Sequence, residues 1–231
     1  MLENESQLKR TARIAGLLYF VLAITGGYGL VYVPSQIYVA GDAAATSLNI
    51  LNQEFLFRTG VFSNLVCQTL FVFLALALYN LFKNVNDRLA RTLVALVIVA
   101  VPIAFIIIFN QLYTLIVLKE SFMSSFTLAQ QQTQAITFLK MYNFGNTVIG
   151  IFWGLWLIPF GLLAYRSGFM PKILGILLVL GGVSYVIDAS VFVLFPASQN
   201  ISNMLVSIFS SVSELATVLW LLIIGVRVRK A

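Results

Sequence analysis

Residues 92–118, TLVALVIVAVPIAFIIIFNQLYTLIVL, decide the fold: the run holds no charged side chain. A helix needs about 20 mostly apolar residues to cross a hydrocarbon core of about 30 Å, and this run is longer than that. Five further runs of the same kind lie on either side of it, at Ile14–Val33, Phe57–Phe82, Met141–Tyr165, Ile173–Phe195 and Asn203–Val226. The whole chain has the matching composition, with 231 residues that are 60% hydrophobic and only 10% charged. A soluble domain carries about 25% charged residues and could not hide so much apolar surface. The sequence therefore predicts an all-α fold, a six-helix transmembrane bundle forming a single integral membrane domain over residues 1–231.

The charges test this reading independently of hydropathy. With the N-terminus inside, the cytoplasmic segments hold Lys9, Arg10, Arg13, Lys83, Arg88, Arg91, Arg166, Lys172, Arg227, Arg229 and Lys230. The opposite side holds Arg58, Lys119 and Lys140. Eleven basic residues against three place both the N-terminus and the C-terminus in the cytoplasm. The first run has a basic flank but no small-x-small cleavage site, so it reads as an uncleaved span rather than a signal peptide. The net charge of +6 is spread over these flanks and forms no basic and aromatic surface, which excludes nucleic acid as a partner.

Connections follow from turn chemistry. Lys83 to Arg91, with Asn84, Asn86 and Asp87, reads as a tight inner turn. Arg166 to Lys172 reads as a second, with Gly168 at positive φ and Pro171 opening the next helix. Outside, Asp42 is placed to cap a short helix carrying Leu48, Leu51 and Phe55 on one face. The Gln-rich segment Ser121 to Thr137 extends the helices into water. Pro102 and Pro159 each remove a backbone donor within a span and predict kinks. Tyr79, Tyr165 and Trp220 fit an inner aromatic belt, and Tyr32, Tyr113 and Tyr142 an outer one.

Polar groups within spans are costly and mark the candidate site. At about 1.5 Å per residue from each outer helix end, Asn64, Asn110, Asn146 and Asp188 lie about 9–12 Å deep. Gln68 and Glu214 lie at about 16 Å, near the midplane. The predicted site is an outward-facing polar cavity lined by Asn64, Gln68, Asn110, Asn146, Asp188 and Glu214, with Arg58 at its mouth reaching toward the carboxylates. The competing reading makes the amides and the Gly150-x-x-x-Gly154 pair helix-packing groups, and makes the carboxylates a structural ion pair with Arg58.

The chain has no histidine and one cysteine, Cys67. His-ligated haem, His-based zinc sites, His triads and an intrachain disulfide are thereby excluded. No phosphate loop or metal-ligand cluster is present, so no cofactor and no metal are implied. Three functions fit: binding or moving a small polar or cationic solute, intramembrane catalysis by an Asp188 and Glu214 acid–base pair, or a structural or partner-binding subunit without chemistry. The expected partners are membrane lipids and a small polar solute, and no feature specifies an oligomeric state.

Several stretches together resemble a bacterial membrane family catalogued only as a domain of unknown function. They are Ala12-Arg13-Ile14-Ala15-Gly16-Leu17-Leu18-Tyr19, Gly41-Asp42-Ala43-Ala44-Ala45-Thr46, and Tyr165-Arg166-Ser167-Gly168 with Pro171-Lys172-Ile173-Leu174-Gly175, together with Asp188 and the Glu214-to-Trp220 stretch. The chain departs from the pattern at Ala40, where the family has Pro, and at Ser213, where it has Gly. The resemblance implies a bacterial cytoplasmic membrane. It brings no substrate, cofactor or catalytic residue.

Overall fold

A computed structural model describes residues 2–119 and 125–227. Arg229, Lys230 and the start of the Ser121–Thr137 segment lie outside the described residues. In hydrocarbon every backbone N–H and C=O must be bonded within the chain, so the apolar runs become helices. They are α1 (Leu2–Gly27), α2 (Val33–Ile37), α3 (Ala43–Asn52), α4 (Glu54–Phe82), α5 (Asp87–Lys119), α6 (Leu128–Arg166), α7 (Lys172–Leu194) and α8 (Gln199–Leu219). Single π-helical turns continue α1 through Tyr28–Tyr32 and α8 through Trp220–Ile224. Among the described residues six helical segments are long and apolar enough to cross a membrane: Glu5–Ile37, Glu54–Phe82, Asp87–Lys119, Leu128–Arg166, Lys172–Leu194 and Pro196–Ile224.

Local chemistry accounts for the boundaries. Pro34 has no N–H to continue an α-helical ladder and its ring crowds the carbonyl four residues back. The preceding turn widens accordingly, and Val33 N–H bonds to Tyr28 O, five residues earlier. Asp42 caps α3, its Oδ1 accepting from Ala45 N–H at 2.8 Å. The turn between α4 and α5 is shorter than the charges suggested, because Asn86 Oδ1 accepts from Leu89 N–H and α5 starts at Asp87. Gly168 takes φ +71 in the next turn, and Pro171 is the N-cap of α7. Both Pro102 and Pro159 lie inside helices that continue through them.

The chain divides into two compact units. One comprises Met1–Val21, Leu70–Val101 and Thr147–Ala231, and the other Leu22–Thr69 and Pro102–Asn146. The core of the first is aromatic. Trp156 stacks on Phe160 with ring centroids 5.5 Å apart and meets Tyr19 and Phe71 edge-on at 6.0 and 4.8 Å. Its helices approach closely where glycines face one another. A Cβ on Gly182 would lie 2.6 Å from Gly154 O, and one on Gly161 would lie 2.6 Å from Gly175 O. The second unit packs Val33, Ile37, Ile50, Phe57, Val61, Ile108, Leu115, Leu139 and Tyr142. There α3 buries Thr46, Ser47 and Ile50 and leaves Leu48, Leu51 and Phe55 beside it exposed.

Backbone-to-backbone contact between α6 and α7 leaves no room for a side chain. Gly182→Val is expected to destabilise the protein by about 2 kcal/mol through overpacking. Gly27→Ala, at a helical position with nothing within 4 Å of the added Cβ, is expected to be neutral or stabilising. Thermal unfolding of the two variants in one detergent distinguishes these outcomes.

Candidate functional site

Two polar clusters form, one in each unit. In the first unit, Tyr19 on the buried side of α1 donates its hydroxyl to Glu214 Oε2 at 2.7 Å. The partners come from two stretches that carry the family resemblance, and they meet because Gly16 lets α1 sit against the backbone of Leu221 and Leu222. Farther along α8, Ser202 Oγ donates to Asp188 Oδ1 at 2.6 Å. The Asn203 amide, oriented with its nitrogen toward the carboxylate, donates to Oδ1 and Oδ2 at 3.0 and 3.2 Å. Tyr185, one turn before Asp188 on α7, faces Ser210 and lies near enough to both carboxylates to interact with them electrostatically. The seam is tight between these points, since a Cβ on Gly181 would lie 2.8 Å from Ser213 Oγ.

Asp188 is buried and Glu214 partly so. Each is held by neutral donors: a phenol, a hydroxyl and an amide. The ion pairs among the described residues are Arg58–Glu54, Lys119–Glu54 and Arg91–Asp87, and none involves Asp188 or Glu214. An ionised carboxylate in a span is costly unless paired. Hydrogen bonds from neutral groups offset part of that cost.

In the second unit, Asn64 Nδ2 donates to Gln111 Oε1 at 3.1 Å and to the Tyr142 hydroxyl at 2.9 Å. The Tyr142 hydroxyl also lies against Asn146. Gly29 in the π-turn makes the space for Asn64, because a Cβ there would collide with the Asn64 amide oxygen. Among the described residues of this unit three buried side-chain polar atoms lack partners: Gln68 Oε1, Ser47 Oγ and the Tyr38 hydroxyl. The last approaches Gln111 without a well-formed bond, and burial pushes its phenol up to about 12.

The other sequence candidates are placed differently. Asn110 turns back on its own helix, donating to Ile107 O at 3.0 Å. Its neighbour Gln111 is the buried member of the pair. Arg58 Nε pairs with Glu54 Oε1 at 2.7 Å, one turn away on α4, and Lys119 Nζ takes the other oxygen at 2.7 Å. The guanidinium is thus committed to Glu54. Tyr142, expected in the outer belt, is 2% exposed and belongs to the core. Reading by residue type missed Gln111, Tyr142, Tyr19, Tyr185, Ser202 and Asn203. The spacing Ala104, Ile108, Gln111, Leu115, all buried, is a helical face that would have pointed to Gln111.

These features define a multi-span helical membrane protein with acidic side chains inside its spans. The chain belongs to the family described as Domain of unknown function (DUF4386), whose model matches residues 14–225. No curated protein and no solved structure matches it.

Asn64→Leu leaves the acceptors on Gln111 and Tyr142 unmet and is expected to cost about 2 kcal/mol. Gly29→Ala acts on the same contact by displacing the amide. The double variant should therefore be less destabilised than the sum of the singles, and additivity in a thermal-unfolding cycle would show that the two positions act separately.

Proposed function

We propose that this is a multi-pass protein of the bacterial cytoplasmic membrane, crossing it six times with both termini in the cytoplasm, that binds or moves a small polar or cationic solute at its intramembrane carboxylates. One observation carries this reading: Asp188 and Glu214 lie within spans and are met by neutral donors, with no ion pair to either among the described residues. A purely structural acid would be expected to keep a fixed cation, as Glu54 does with Arg58 and Lys119. A carboxylate met only by hydroxyl and amide donors is suited to a positive charge that arrives and leaves, which favours a cationic solute over a neutral one. Gln68, with an unpartnered buried oxygen, offers a further acceptor in its own unit. Arg58 and Asn110 contribute less, because their polar groups are satisfied on their own helices.

The orientation rests on the charge distribution. It draws support from Lys83 over the Tyr79 ring at 5.9 Å, Lys172 over Tyr165 at 5.3 Å and Arg227 over Trp220 at 4.7 Å. All six residues flank the ends assigned to the cytoplasm, where aromatic rings and cations gather at the headgroup level.

Proteoliposomes loaded with the purified protein should accumulate at least one of rubidium, tetraethylammonium and putrescine above empty vesicles. Glu214→Gln and Asp188→Asn should each lower that uptake at least tenfold while the thermal midpoint stays close to wild type. Uptake of every probe at the level of empty vesicles together with no binding to the purified protein, or uptake and binding indifferent to both substitutions, would refute the reading. The topology is checked separately. Reporter fusions after Arg91 and Arg166 should behave as cytoplasmic and an insertion after Asn52 as exported; the reverse pattern would invert the orientation.

A further inference from the structure

The exposed face at the N-terminal end of α1 carries a basic patch outside the polar clusters. We propose that it binds one anionic glycerophospholipid, with the phosphodiester on Lys9, Arg10 and Arg13 and an acyl chain along Ile14 and Leu17. These five residues and Ser6, all on α1, line a shallow, open groove of about 440 Å³. They share one side of the helix, since the opposite side, Ala12, Ala15 and Tyr19, is buried. That side cannot turn away. Gly16 is locked against the backbone of Leu221 and Leu222, and Tyr19 is bonded to Glu214.

Charge and polarity select the ligand. Lys9, Arg10 and Arg13 take part in none of the ion pairs formed among the described residues, and with Glu5 one turn before Lys9 the stretch 5–17 still carries a net positive charge. Ile14 and Leu17 continue the same face at 47% and 55% exposure. The surface therefore changes from cationic to apolar within about one helical turn, or roughly 5 Å. A free phosphate would use only the first half. A phospholipid matches both, its headgroup on the guanidinium and ammonium groups and its tail on the apolar continuation. A zwitterionic lipid carries a cation of its own next to the phosphate and would be discriminated against. This site is independent of the proposed solute and of the carboxylates.

Native mass spectrometry of the purified protein, released from micelles holding equimolar phosphatidylglycerol and phosphatidylcholine, reads the preference directly. Wild type should retain phosphatidylglycerol selectively. Each cation near a membrane surface contributes about fivefold. The combined Lys9→Gln, Arg10→Gln, Arg13→Gln variant should therefore lose on the order of a hundredfold in preference. Exchange of the same residues as Lys9→Arg, Arg10→Lys and Arg13→Lys should retain it. An unchanged preference in the glutamine variant overturns the proposal. Should that variant fail to fold, photoreactive phosphatidylglycerol on the wild type decides, with cross-links within residues 6–17 supporting the site and cross-links only elsewhere overturning it. Displacement of the lipid by equimolar glycerol phosphate would assign the groove to a soluble phosphate and overturn the lipid assignment.

Discussion

A polar group taken into hydrocarbon has no water to bond to, and the chain must supply every partner itself. For the backbone the answer is the helix. Where proline denies it a donor, at Pro34, the preceding turn widens and Val33 N–H reaches back to Tyr28 O. For side chains the answer is a neighbour on another helical segment. Asn64 finds Gln111 and Tyr142, Glu214 finds Tyr19, and Asp188 finds Ser202 and Asn203. Each such bond needs its two segments at a set distance and rotation, so polar satisfaction and helix packing are one problem.

Glycine solves much of that problem. Lipid tails are as apolar as leucine, so helices gain little by merely hiding apolar surface from one another. They associate by close contact, which small residues permit. Gly154 with Gly182 and Gly161 with Gly175 bring α6 and α7 together backbone to backbone. Gly16 does the same for α1 against the π-turn after α8, and this sets Tyr19 within 2.7 Å of Glu214. Gly29 plays the corresponding part for Asn64 in the other unit. The glycines hold no ligand, yet they decide which polar atoms meet.

The acidic residues separate by partner. Glu54, at the end of its span, takes Arg58 and Lys119 and is electrostatically complete. Asp87 pairs with Arg91 across one exposed turn. Exposed pairs of this kind contribute little to stability and suit helix ends in contact with water. Asp188 and Glu214 are inside spans and take neutral donors alone. That contrast in partners, rather than the presence of acids as such, sets Asp188 and Glu214 apart from the acids that finish a helix.

The amino-acid sequence alone determined the helical class, the six spans, the Asp42 cap, the Gly168 turn, the family resemblance and the choice of Asp188 and Glu214 as the acids of interest. Each follows from a property summed along the chain or from a local conformational rule: hydropathy over some twenty residues, a side chain reaching its own backbone, a residue type scarce in lipid. The partners were decided only by the tertiary structure. Adjacent residues on a helix point about 100° apart, so Asn110 and Gln111 have the same depth and polarity but face different surroundings. One folds back on Ile107 O; the other is buried against Asn64. Arg58 is long enough to reach several carboxylates, and Glu54 obtains it by lying one turn away. Tyr19 and Glu214 are separated by 195 positions in the chain, and no local rule joins them. Depth and polarity are properties of single residues, whereas a hydrogen bond belongs to a pair, and the pair exists only after the helices have chosen their faces.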